Sequence, residues 1–432
     1  MAEVRTGTDM ESVSRLERFW KTFGPGLLWA AAAIGVSHLV QSTRAGGDGG
    51  FSLVWIVLLA LVIKYPFFEY GPRYAAATGE SLVEGYQRLG RWAVWLYLLI
   101  TLSTAVIIQA AVTVLTAFLF AYILGVDWPL AVMGAIVLGV CSLILWIGRF
   151  RALDATIKAV IVVLTLSTIF AAAAVAPQIP DSDFAPWPLI DGADAITFAF
   201  ILALAGWMPS AIDISVWSSL WTLAKDRSSG IQASVKEALL DFRIGYVGTS
   251  IIALAFLTLG ATVMYGTGEQ FSPEGPVFAL QLVDLYSATL GDWTRPVILA
   301  AIVTTMFSTT LTVLDGFPRA ISRSVRALLE GVEDEPRVER EIRGYWISLV
   351  AIALLTVGVF TFYLGTMATL IDFATIVSFI TAPVLGYLNL RAVTSNHVPE
   401  HLRPGPKLQT FSWIGLALMA GIALVFLGTL VF

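Results

Sequence analysis

The sequence is poor in charge. Only 13% of its 432 residues are Asp, Glu, Lys or Arg, about half the ~25% of an ordinary soluble domain. It has one cysteine, Cys141, so an internal disulfide and any multi-cysteine metal site are excluded. Of its three histidines, His38, His397 and His401, only His38 lies in an apolar stretch, which excludes a zinc-hydrolase cluster. There is no GxxxxGK[ST] loop and so no sign of an ATP motor. Residues 1–22 carry Arg5, Arg15, Arg18 and Lys21 but no signal-peptide pattern, so the first apolar segment is expected to be retained. What remains is hydrophobic: 57% of the chain, against ~45–50% for soluble domains. A disordered protein, a nucleic-acid binder and an ordinary cytosolic enzyme are excluded, and a multispan membrane protein follows.

A bilayer core of ~30 Å takes about 20 apolar residues per helix. Eleven such segments fall at 23–44, 51–76, 92–124, 128–148, 152–176, 194–224, 240–265, 293–315, 342–363, 366–390 and 409–431. All are expected to be helical, because lipid cannot satisfy an open strand edge. The longest loops are expected at 180–193, 266–292 and 316–341, and none holds a soluble domain. Even-to-odd connections carry the basic residues, such as Arg88, Arg91, Arg227, Arg319, Arg323, Arg326 and Arg403. The opposite loops carry Asp127, Asp181, Asp183, Glu269 and Asp292. The positive-inside rule then puts the N-terminus and 316–341 in the cytoplasm and Phe432 outside.

Two segments are interrupted at mid-depth. The first carries Gly35-Val36-Ser37-His38 and the sixth Gly206-Trp207-Met208-Pro209-Ser210. Glycine weakens a helix and proline removes a donor, so both can unwind, although kinks are also common in membrane helices. The two positions correspond in two five-helix halves, about 23–176 and 194–390. Paired breaks of this kind point to an inverted-repeat transporter with a midplane site.

At these helices the sequence resembles the NRAMP family of proton-coupled divalent-metal transporters. Gly24-Pro25-Gly26 is similar to that family's GPG start of helix one. Ala45-Gly46, Trp55, Arg73 and Thr78-Gly79 fall on its AG, W, R and TG. Met208-Pro209 resembles its MPH motif, Arg151-x-Leu153-Asp154 its opening of helix five, and Ser308-Thr309-Thr310-Leu311-Thr312 its SSTLTG in helix eight. The resemblance implies an all-α, LeuT-type fold with 11 transmembrane helices, a ten-helix core over 23–390, an additional helix at 409–431 and alternating access. The departures fall on the chemistry. The aspartate and asparagine of DPGN are Gly35 and His38, the histidine of MPH is Ser210, and 92–124 contains no Asp or Glu. Of the family's metal ligands, the resemblance leaves Met208 and the backbone carbonyl near Ala205.

Candidate substrate contacts are therefore Gly35, Ser37, His38, Ala205, Gly206, Met208, Ser210 and Asp213, the nearest carboxylate. Hard cations favour carboxylate oxygens, and Asp213 alone supplies one, so ordinary Mn or Fe uptake is not expected. His38, Met208 and Asp213 form a softer metal set. The alternative is a small organic solute, such as an amino acid or carboxylate, held by backbone N–H groups near Gly35 and Ser37 and walled by Trp207. An ion channel is a further alternative, though it calls for continuous polar rings. Lys158, or Ser308 and Thr309, are coupling-ion candidates; Lys158 can also snorkel. Lys64 and Glu69, within segment two, are expected to form an ion pair. Asp315 and Arg319, four apart, are expected to form another. No cofactor or nucleic-acid partner is called for, no oligomer is implied, and the setting is a bacterial-type inner membrane.

Overall fold

The computed structural model describes the backbone of residues 15–175, 197–265, 271–274, 277–278, 280–281, 283–284, 287, 291–330, 338–362 and 366–429. Side chains of 15–16, 148–164, 167, 175, 294, 297–298, 301 and 338 lie outside that description. So do the predicted loop 180–193 and the side chains of Lys158, Arg151 and Asp154.

The described chain is helical. α1 (Arg15–Thr22) leads into α2 (Pro25–Ala33), a π-helical stretch Ser37–Ser42 and α3 (Thr43–Gly49), which together form the first segment. Then come α4 (Val54–Thr78), α5 (Leu82–Leu89), α6 (Arg91–Leu124) and α7 (Leu130–Val175). The sixth segment is α8 (Phe198–Gly206) and α9 (Ile214–Ser229). α10 (Val235–Val263), α11 (Arg295–Leu329), α12 (Val338–Phe362), α13 (Met367–Val393) and α14 (Pro406–Thr429) complete the chain. Seven described helical stretches are long and apolar enough to cross a membrane.

Three features depart from the sequence expectation. Segments four and five lie in one helix of 46 residues, α7, with no break at Arg149–Arg151. α11 runs to Leu329, well past the expected end at 315, so the loop 316–341 is mostly helix. Its extension is amphipathic: Arg319 pairs with Asp315 at 2.6 Å, and Arg323 and Arg326 both reach Glu84 and Glu341. Finally, α5 is a short helix started by a capping box, in which Ser81 and Glu84 satisfy each other's backbone donors.

α10 crosses the first segment at close range. A Cβ on Gly26 or Gly245 would meet the other segment's backbone, and so would one on Gly46 or Gly260. Small residues at a crossing let backbones approach, which is how membrane helices gain packing energy without a hydrophobic drive between them. α2 also packs against α7, α9 and α11, so the first segment is central to the bundle.

Candidate functional site

Both predicted breaks are present. In the first segment the α-helix stops at Ala33 and Ile34 is extended at φ −79°, ψ 96°, before the chain resumes as the π-helical Ser37–Ser42. π-turns inside helices often mark functional positions. In the sixth segment the chain is non-helical from Trp207 to Asp213, and Met208–Pro209 is cis.

A break strands the last carbonyls of the helix before it. Here side chains from other helices take them. The Thr309 hydroxyl of α11 lies 2.7 Å from the Ile34 carbonyl and 3.0 Å from that of Ala31. The Lys64 ammonium of α4 donates to the carbonyls of Ala205, Gly206 and Ser210 at 3.1, 2.9 and 2.6 Å. A Cβ on Gly35 would lie 2.7 Å from the Thr309 side chain, and one on Gly206 would strike the Thr375 carbonyl. Both glycines are therefore needed for close approach.

Between the breaks lies a small cavity of about 30 Å³, room for about two water molecules. Its polar lining is Ser37, Ser210, Asp213 and Thr309, and Trp207 and Trp217 wall it among small apolar side chains. Asp213 is 4% exposed and sits at the start of α9. Its carboxylate has no cation within 4 Å among the described residues. The Trp207 indole is fixed by donating to Ser378 at 2.8 Å.

The structure thus brings Ser37, Ser210 and Asp213 to the cavity, while Ala205 and Gly206 do not line it and turn their carbonyls to Lys64. Gly35, His38 and Met208 do not line it. His38 is fully buried against α10: Nε2 lies 3.1 Å from the Thr249 carbonyl and Nδ1 2.7 Å from the Ser37 hydroxyl. A carbonyl only accepts, so Nε2 carries the proton, while the Ser37 hydroxyl that covers Nδ1 also donates to the Ala33 carbonyl at 2.5 Å. In this arrangement Nε2 has no lone pair for a metal, and Nδ1 is covered by the Ser37 hydroxyl. Among the described residues no three His, Cys, Asp or Glu side chains group as metal ligands. Ser308 donates along its own helix to Thr305 at 2.8 Å.

The expected Lys64–Glu69 pair is absent. Glu69 pairs instead with Arg73 one turn along and accepts from Tyr65 at 2.7 Å, while Lys64 points across to the sixth segment. Five residues apart on a helix is not a facing spacing, whereas four is. The Asp315–Arg319 pair forms as expected, and Asp315 also accepts from Trp221 at 3.0 Å and Tyr345 at 2.8 Å.

Ion pairs and caps tie the broken segments to their neighbours away from the cavity. Asp241 of α10 accepts from the Gly24 and Gly26 amides at 3.1 and 2.7 Å, capping the first segment. Nearby, Arg18 pairs with Glu237 at 2.5 Å, and that hydrogen bond raises the guanidinium above its ordinary pKa. Arg44 pairs with Asp372 at 3.0 Å and lies over the Phe200 ring. Sequence reasoning missed Asp241 and Asp372, whose partners are distant in the chain. It had flagged a lysine in an apolar run, but not the carbonyls that Lys64 serves.

Residues 26–429 match the family model described as natural resistance-associated macrophage protein-like. An uncharacterized protein of Pasteurella multocida is 36% identical over 406 residues, 94% of this chain and 91% of the relative. Among solved structures, a manganese transporter of Eremococcus coleocola superposes with a TM-score of 0.66 at 14% identity, over 98% of this chain and 88% of that one. MhsT in complex with L-phenylalanine superposes with a TM-score of 0.60 at 14% identity, over 96% and 98% of the two chains. These likenesses show the LeuT-type fold, with its first and sixth segments broken.

Proposed function

The chain belongs to the natural resistance-associated macrophage protein-like family, and from that premise we propose that it is a secondary-active transporter whose cargo is not the usual Mn²⁺ or Fe²⁺. It is an integral membrane protein of a transporter family rather than an enzyme. One observation carries the proposal: among the described residues, the small cavity where the two broken helices meet offers a single carboxylate, Asp213, and no imidazole or thioether. A divalent ion needs several anionic or strongly donating oxygens to offset its dehydration. One carboxylate with three hydroxyls, beside a fixed ammonium, is a poor set for it. Such a site suits a small neutral solute with a hydrogen-bond-donating head, held by Asp213 and flanked by Trp207 and Trp217. A cavity of about 30 Å³ holds it only after the helices around it move apart, which is the expectation of alternating access. Purified protein in proteoliposomes is expected to take up Mn²⁺ at micromolar concentration no faster than protein-free vesicles. Uptake matching that of an ordinary family metal transporter refutes the cargo reading.

The same reading places the protein in a bacterial-type inner membrane with a cytoplasmic N-terminus and an external C-terminus. Cys141 is buried, so it gives little background for thiol labelling. Asp292→Cys is expected to react with an impermeant maleimide in intact cells, and Glu400→Cys only after lysis. Labelling in the reverse order inverts the topology.

A further inference from the structure

The Lys64 ammonium sits where a free cation would sit. It enters from α4, is 2% exposed, and has three carbonyl oxygens within 3.1 Å. An ammonium has three N–H donors, so every one is used. The oxygens belong to Ala205 and Gly206 at the end of α8 and to Ser210 within the non-helical Trp207–Asp213 stretch, so the break itself makes the cluster. Carbonyls converging on one point replace an ion's hydration shell, as in potassium-selective filters. The rest of the setting is also that of a cation site. The Phe68 ring lies 5.7 Å from the nitrogen, and Asp213 is the acidic group whose field reaches it. A lysine this deep is costly without such partners.

We infer that Lys64 is a tethered monovalent cation, filling a carbonyl cage at the sixth-segment break that would otherwise take a free ion of about potassium's size. The transporter then needs no inorganic ion at this cage, and its cargo binds beside the cage at Asp213. The inference rests on the transporter reading only for what it says of cargo and coupling; the cage does not depend on it.

The test removes the tether and offers free cations. Wild type, Lys64→Met and Lys64→Gln are purified in detergent in potassium, thallium(I) or choline nitrate, and thermal unfolding is followed. Lys64→Gln keeps two N–H donors for the carbonyls, which guards against simple loss of the fold. Wild type is expected to unfold at the same temperature in all three salts. Lys64→Met is expected to be least stable in choline, with a saturable rise of about 2 °C or more in potassium or thallium. Lys64→Gln is expected to respond in the same direction, more weakly. Variants indifferent to the cation, or equally unfolded in every salt, overturn the inference, and so does a potassium response in wild type. Mn²⁺ uptake by wild type would sink the cargo reading and leave the cage standing, so the two failures are distinguishable.

Discussion

Gly260→Val is expected to leave no folded transporter in detergent, and Gly46→Val the same. A Cβ at Gly260 would strike the Thr43 carbonyl and lie 2.9 Å from the Gly47 amide. One at Gly46 would strike the Leu257 carbonyl and lie 2.7 Å from the Ala261 amide. All four obstacles are backbone in regular helix, so nothing rotates away. Overpacking a core of side chains costs ~1–3 kcal/mol because side chains shift. Here relief comes only by moving α10 off the first segment, which also pulls Thr249 from His38 and Asp241 from the Gly24 and Gly26 amides. The loss is therefore expected to approach the whole stability, ~5–15 kcal/mol for a typical protein. Gly248 on the same helix has nothing within 4 Å of an added Cβ and serves as the control. Gel filtration checks this: Gly248→Val gives a single sharp peak, and Gly260→Val gives aggregate only. A sharp peak from Gly260→Val shows that the crossing is looser than described.

The helices that the sequence disclosed were those whose lipid-facing residues repeat without interruption. α4, α6, α10, α13 and α14 begin and end within a few residues of the apolar segments. α11 overran its segment because hydropathy reads the arginine-bearing extension as a loop. The deciding partners, Glu84 on α5 and Glu341 on α12, are invisible from α11's own sequence. The capping box of α5 was present as Ser81-Leu82-Val83-Glu84, a readable signal. The two breaks were legible because glycine and proline act locally. Which way each side chain leaves a break was not, since that depends on the rotation of the broken helix against its neighbours. His38 and Ser37 are adjacent, yet Ser37 lines the cavity while the His38 ring turns to α10. Lys64 stood out as a charge in an apolar run, but its acceptors are backbone oxygens more than 140 residues away, and a sequence carries no mark of a free carbonyl.

That divergence between neighbours gives the second large effect. Asp213→Asn is expected to weaken cargo binding about 30-fold or more in a protein that still folds. The substitution keeps the shape of a side chain at the start of α9 and removes the one carboxylate that lines the cavity among the described residues. A charged hydrogen bond lost from a closed site costs ~2 kcal/mol or more, a fall in affinity of about 30-fold. His38→Ala is expected to do the opposite. It removes the Nε2 bond to Thr249 and empties the space of a fully buried ring, a penalty of ~2 kcal/mol or more in stability, while the cavity lining keeps its hydroxyls and its carboxylate. Thermal unfolding and cargo affinity, measured on both variants, separate the two roles. Asp213 moves affinity with little change in the unfolding midpoint, and His38 moves the midpoint with little change in affinity. A His38→Ala protein with wild-type stability and lost binding would put the imidazole back in the site. A fully active Asp213→Asn protein would place the cargo somewhere other than between the two broken helices.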